Sequence, residues 1–136
     1  MMKMRLFPIL FLFLLSHSAC TNKKTILLGD LMEADAIEQV RMSNNSGTFY
    51  LDGKQLKTFK EAIKTFPYEP GFAAKVGAIQ IELTIRGKTC SMSSATHGNY
   101  VEVARCNITK NDHLIQSGEL YFQTDGFNFD NFQPAN

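Results

Sequence analysis

Ala78-Ile79-Gln80-Ile81-Glu82-Leu83-Thr84-Ile85-Arg86 alternates apolar and polar side chains over nine residues. Successive side chains of a strand point to opposite faces. Ile79, Ile81, Leu83 and Ile85 therefore form an apolar face, and Gln80, Glu82, Thr84 and Arg86 a wet one. One buried and one solvated face is the signature of an antiparallel sheet covered on a single side. The fold class turns on what covers the isoleucine side. Gly87 ends the run as a turn or a bulge.

Toward the C-terminus, Tyr100–Cys106 alternates again, with Val101 and Val103 on one face and Tyr100, Glu102, Ala104 and Cys106 on the other. Cys90 and Cys106 are equidistant from Gly98 of His97-Gly98-Asn99, so a hairpin centred there sets the two cysteines opposite each other. Three-residue hairpin loops favour a left-handed residue, which Gly or Asn supplies. Opposed Cα atoms lie about 4.5 or 5.5 Å apart, inside the span of about 4.4–6.8 Å that a disulfide accepts. A Cys90–Cys106 disulfide is the expectation, closing a loop of about 15 residues worth roughly 3 kcal/mol. A reactive cysteine, the rival reading, needs a depressed pKa and an exposed site. Gly118–Thr124 offers another strand, Leu120 and Phe122 facing one way and Tyr121 and Gln123 the other. The chain then turns aromatic at Phe127, Phe129 and Phe132. That tail is either an edge folding back onto the core or a partner surface.

Toward the N-terminus, Leu56, Phe59, Ile63 and Phe66 recur at spacings of three, four and three, which predicts a helix over Gln55–Phe66. Pro67 stops it, because the residue before proline is pushed out of the α region. Ala36–Met42 alternates and reads as a strand, with a helix from Asp30 as the competing reading. Ser43-Asn44-Asn45-Ser46-Gly47 is a turn cluster, and Thr48-Phe49-Tyr50-Leu51 a short strand stopped by Asp52-Gly53. The predicted order is β-β-α-β-β-β. A helix with one apolar stripe on a mostly antiparallel sheet with one apolar face is a two-layer α+β domain.

The first nineteen residues read differently. Lys3 and Arg5 precede the apolar run Leu6–Leu15, and Ser16-His17-Ser18-Ala19 leads to Cys20. Basic start, apolar middle and small-residue exit describe a secretory signal peptide; ten apolar residues fall short of the roughly 20 that span a bilayer. Ser18-Ala19-Cys20 resembles the lipobox of bacterial lipoproteins, with His17 standing where that family usually has leucine. The resemblance implies cleavage before Cys20, a diacylglycerol on its thiol and an acylated amine. It also accounts for an odd count of three cysteines. Residues 1–19 are then the signal peptide, 20–25 the lipidated N-terminus and tether, and 26–136 one domain. Thr21, in place of the aspartate that marks inner-membrane retention in enteric-type sorting, points to the outer membrane, facing the periplasm. The predicted arrangement is similar in shape to small extracytoplasmic lipoprotein domains of unknown function.

Without its first nineteen residues the chain has twelve basic and thirteen acidic side chains, a balance that gives no footing for nucleic acid. Of three histidines, His17 leaves with the signal peptide, His97 falls in the predicted turn and His113 in a loop after Asp112. The chain contains no HExxH, CxxC, Asp-rich calcium loop, Gly-x-Ser-x-Gly or Gly-x-x-x-x-Gly-Lys, and no Ser-x-x-Lys follows Ser91-Met92-Ser93-Ser94. No metal, cofactor or catalytic group is expected. Lys57, Lys60 and Lys64 share a helix face that either is simply solvated or touches anionic headgroups. Asn44-Asn45-Ser46 and Asn107-Ile108-Thr109 match the N-glycosylation pattern, which has no role in a bacterial lipoprotein. The leading expectation is a non-catalytic binding or accessory module held to the membrane by acyl chains, with an envelope protein as partner. Its binding residues would be His97 and Asn99 at the hairpin tip and Phe127, Phe129 and Phe132 in the tail. The alternative is an envelope enzyme, or an enzyme inhibitor acting through the tip Thr96–Tyr100.

Overall fold

A computed structural model describes residues 25–70, 76–95, 99–106 and 120–135. Six strands make one antiparallel sheet: β1 (Ile37–Asn44), β2 (Gly47–Tyr50), β3 (Val76–Ile85), β4 (Lys88–Ala95), β5 (Tyr100–Cys106) and β6 (Leu120–Gln123). Their spatial order is β2-β1-β3-β4-β5-β6. A short helix α1 (Leu28–Leu31) and a 3-10 turn (Ala34–Ala36) precede β1, helix α2 (Gly53–Ile63) joins β2 to β3, and a second 3-10 turn (Phe129–Asn131) follows β6. The domain is α+β. The predicted order counted five strands. The one it left out is β4, whose three serines are weak strand signals; Cys90 and Met92, buried against β3, hold it in the sheet.

The alternating run is the middle of the sheet. Phe49, Met42, Ile81, Met92, Val103 and Leu120 are successive cross-strand partners, one from each strand, and they form a continuous apolar rung. Val40, Leu83 and Cys90 begin a second. On the opposite face the same pairing aligns polar groups: Arg41 lies 3.6 Å from Glu82, and the Ser93 hydroxyl donates to Gln80 Oε1 at 2.7 Å. Such exposed pairs contribute little to stability, so the apolar rungs set the register. Arg86 and Gly87, with φ of 51° and 74°, form the two-residue turn between β3 and β4. Gly87 is thus a turn residue, where the sequence allowed a bulge.

Cys90 and Cys106 are cross-strand partners, as expected, but the hairpin is not centred on Gly98. From Ala95↔Tyr100 to Ser91↔Ala104 the pairing runs one residue short of that centring. An extra residue between Ala104 and Cys106 then shifts the register and makes Cys106, instead of Arg105, the partner of Cys90.

Helix α2 starts two residues before the predicted Gln55. Asp52 caps it, its carboxylate accepting from Gln55 N at 2.8 Å while Gln55 Oε1 accepts from Asp52 N at 3.2 Å. It ends at Ile63, three residues before the predicted Phe66. Phe59 and Ile63 are fully buried in the cluster that contains the strand rungs. Phe66 is buried from an extended segment: Pro67 O accepts from Gln123 N and Tyr121 O from Glu69 N, both at 2.9 Å. Residues 66–69 thereby cover the outer edge of β6. Residues 26–28 pair with them in turn, through Tyr68 N to Ile26 O and Leu28 N to Phe66 O, each 2.8 Å.

The aromatic tail is not a strand and not an open surface. Phe129 and Phe132 are 1% and 6% exposed, and Phe127 is partly buried against them. Their rings meet Phe59 and Phe66 at centroid distances of 5.8–6.3 Å. Asn44 Nδ2 donates to both Phe129 O and Phe132 O at 2.9 Å, and Asn45 donates to the Asp130 carboxylate through its backbone and side-chain amides. Gln55 Nε2 donates to Gln133 O at 2.7 Å. The tail straps the β1–β2 turn to the start of α2 and closes the core. The segment Met1–Ala19, Cys20, Thr96, His97, Gly98 and His113 lie outside the described residues. Among the described residues no helix is long and apolar enough to cross a membrane.

Candidate functional site

Where β5 begins and β6 ends, the chain makes a polar groove. Tyr100 and Gln123 are direct cross-strand partners. One residue further out, Thr124 N donates to Asn99 O at 3.0 Å. In an antiparallel pair, hydrogen-bonded and non-hydrogen-bonded positions alternate, so Tyr100 and Gln123 occupy a non-bonded position, where side chains stand closer together. Val101 and Phe122 beneath them face the core and are buried, which sets Tyr100 and Gln123 on the opposite face. Asp125 and Gly126 follow with φ of 53° and 79°, and Phe127 N donates to Thr124 O at 3.0 Å. Two successive left-handed residues in a hydrogen-bonded reverse turn are the type I′ geometry that Asp-Gly favours. This turn holds the Asp125 carboxylate beside the strand ends. Asn99, Tyr100, Gln123, Asp125 and Gly126 line an open groove of about 470 Å³.

Among its described residues the groove offers two amides, each donor and acceptor, one carboxylate that only accepts, and one aromatic ring. Of the residues expected to bind, Asn99 is here and exposed. Phe129 and Phe132 are removed from consideration as a surface by their burial, and Phe127 by its packing against them. Gln123 and Asp125 had no role in the sequence reading; the Asp125-Gly126 dipeptide was the available signal that a turn would close this end of the sheet.

Behind the groove, Tyr121 and Glu102 are 3% and 6% exposed on the face opposite the core rungs, and Tyr121 Oη donates to Glu102 Oε2 at 3.4 Å. A second depression, about 330 Å³, lies among Gly29, Glu33, Asp35, Lys64 and Arg86. Both of its described cations are paired with carboxylates. Lys64 Nζ is 2.9 Å from Asp35 and 3.4 Å from Glu61, and Arg86 is 3.6 Å from Glu33. Hydrogen bonding and charge attraction from Lys64 lower the Asp35 pKa, and the same bond to Asp35 raises that of Lys64 against an opposing desolvation. Lys64 is therefore committed to carboxylates, leaving only Lys57 and Lys60 of the proposed headgroup-contacting face. Among the described residues no cluster of three or more His, Cys, Asp or Glu could hold a metal ion, and Tyr50 is the single large hydrophobic residue that stands exposed. No protein-family model, curated protein or solved structure matches this chain.

Proposed function

We propose that this chain is a lipid-anchored, non-catalytic binding module of the bacterial cell envelope, and that the groove between the starts of β5 and the β6 turn is its binding surface. The observation that carries the reading is the convergence of Asn99, Tyr100, Gln123 and Asp125 from two strand ends and a fixed turn into one polar groove. The anchor is Cys20, read from its lipobox-like setting. The chain joins the fold at Ile26, whose carbonyl accepts from Tyr68 N. Six residues of about 3.3–3.6 Å each keep that point within roughly 20 Å of a lipidated Cys20, with the outer membrane, periplasmic face, as the compartment. The two-layer packing of α2 on the sheet belongs to this reading, supported by Phe59 and Ile63 sharing one buried cluster with the strand rungs. So does the Cys90–Cys106 disulfide, supported by their direct register. An oxidising compartment favours such a bond.

The test is site-specific photocrosslinking in intact cells. A photoreactive residue at Gln123 should give a discrete, saturable adduct, and one at Lys57, on α2, should not. Equal labelling from both sites, or none from Gln123, would remove the groove from the account. An envelope enzyme or an inhibitor acting through Thr96–Tyr100 is the alternative. Chemical turnover of whatever Gln123 captures would favour the enzyme.

A further inference from the structure

We infer that the outer face of α2, through Lys54, Lys57 and Lys60, rests on the anionic headgroups of the membrane that holds the anchor. The inference rests on the lipid-anchored reading above and adds to it a second membrane contact, which orients the domain. Unpaired charge comes first. The three lysines recur every third residue, and at about 100° per residue they stay within a sector of about 120°. That sector lies on the side of the helix away from the buried Phe59 and Ile63. Lys54 and Lys57 are exposed and Lys60 partly so. Among the described residues none of the three forms an ion pair, whereas Arg41, Lys64 and Arg86 all do. Glu61, the acid on that side of the helix, is engaged by Lys64. The face is left net positive.

The place where the chain leaves the fold brings this face to the membrane. Gly29 packs directly on the end of α2: a Cβ there would fall 2.6 Å from Lys64 Cα. Ile26 is three residues before Gly29, hence within roughly 11 Å of that helix end, and the step from Ile26 to Cys20 adds at most about 20 Å. Helix α2 has eleven residues and is about 17 Å long, so the acyl chains and the lysines can meet one surface. Between Cys20 and Ile26 the sequence adds Lys23 and Lys24 and no acid. Basic residues beside an acyl anchor are attracted to anionic lipid. Each cation near such a surface shifts the equilibrium about fivefold, so the three on α2 shift it about a hundredfold at low salt. Phe59 and Ile63 share a cluster with the core-facing strand residues. With α2 on the headgroups, the wet face of the sheet, including Arg41, Gln80 and Glu82, is turned away from the bilayer.

The measurement uses the membrane-extracted protein, reconstituted into vesicles of phosphatidylcholine alone or mixed three to one with phosphatidylglycerol. A fluorescent amino acid replaces either Thr58, exposed beside the lysines of α2, or Gln39, exposed on β1. A nitroxide on the lipid headgroup quenches the label when the two are close. Quenching at position 58 should be stronger by about twofold or more in the phosphatidylglycerol vesicles. It should return to the neutral-vesicle level in about 0.5 M salt, where the screening length is about 4 Å. A Lys54→Gln/Lys57→Gln/Lys60→Gln variant should return it likewise, with an unchanged melting temperature. Quenching at position 39 should be weak and indifferent to lipid charge. Quenching at position 58 that ignores lipid charge, salt or the three substitutions would overturn the inference. Vesicle flotation separates this failure from failure of the anchor. Protein that floats with neutral vesicles but shows no charge-dependent quenching overturns the basic face and leaves the anchor standing. Protein that floats only with phosphatidylglycerol, and only with the lysines in place, overturns the anchor and leaves the face. Flotation with neither overturns both.

Discussion

Asn44 is the side chain on which the closure of the core most visibly depends. It ends β1 and makes three hydrogen bonds: Nδ2 donates to Phe129 O and Phe132 O at 2.9 Å each, and Oδ1 accepts from Ser46 N at 2.9 Å. Replacing it by Ala removes all three and deprives two partly buried carbonyls of a donor. A protein hydrogen bond contributes about 0.5–1.5 kcal/mol net. The three together, at a partly exposed site, should cost roughly 2 kcal/mol, or about 30-fold in the folding equilibrium. Urea unfolding should show a lower midpoint at unchanged slope, the mark of lost stability without a changed denatured state. Asn44→Asp should be worse than Asn44→Ala, because a carboxylate would face two carbonyl oxygens while keeping the Ser46 contact. Hydrogen exchange should locate the loss: amides of residues 129–132 should exchange faster, while those of β3 should slow or quicken only with global stability. The strap would nonetheless keep its Asn45–Asp130 and Gln55–Gln133 contacts. A change below about 0.5 kcal/mol, or a loss with tail protection intact, would refute the assignment of Asn44 as the strap's main fastening.

Other outcomes follow from the same structure. Gly29→Ala would place a Cβ 2.6 Å from Lys64 Cα, a backbone atom that cannot yield cheaply; overpacking of this kind costs about 1–3 kcal/mol and should appear as a lowered melting temperature. Gly77→Ala should do likewise, its Cβ falling 2.8 Å from the Ser94 carbonyl oxygen, while a Gly53→Ala control meets nothing within 4 Å. Carbon-detected NMR titration should find the Asp35 carboxyl titrating below the ordinary aspartate range, and Lys64→Met should return it upward. The sign for stability is fixed by direction: the contribution of lowered Asp35 is present above the ordinary carboxylate value and fades as pH falls through its folded pKa. That of raised Lys64 is present below the ordinary amine value and fades as pH rises through its folded pKa. Non-reducing mass analysis should give a chain lighter by two hydrogens, and Cys90→Ser should lower stability by roughly 3 kcal/mol if the loop-closure model holds.

The elements with strong periodicity were readable before any coordinates. Ala78–Arg86 alternates because its strand has one buried face. Leu56, Phe59 and Ile63 recur at helical spacing because they pack in one apolar cluster with residues of the strands. Local chemistry then moved the ends: Asp52 and Gln55 extended α2 forward, and Pro67 drew Phe66 out of it into the edge pairing. β4 is hard to read because Ser91, Ser93 and Ser94 give little strand signal; the sheet supplies its order through Met92 and Cys90. That Cys90 lies opposite Cys106 was legible, but the extra residue that sets this register was not, since a bulge adds a residue without a compositional mark. The tail shows the sharper limit. Phe127, Phe129 and Phe132 carry an apolar signal that is the same for a surface and for a core, and only the long-range bonds from Asn44 and Asn45 decide between them. Of the groove, Asn99 was visible as a turn residue. Gln123 and Asp125 acquire meaning only once β5 and β6 are neighbours, which local sequence does not specify.

The most direct test of the anchored-module account is the intact mass of the protein extracted from membranes. The account predicts a chain that begins at Cys20 and carries the added mass of a diacylglycerol and an amide-linked acyl group. A chain retaining Met1–Ala19, or one beginning near Cys20 without acyl mass, would contradict it.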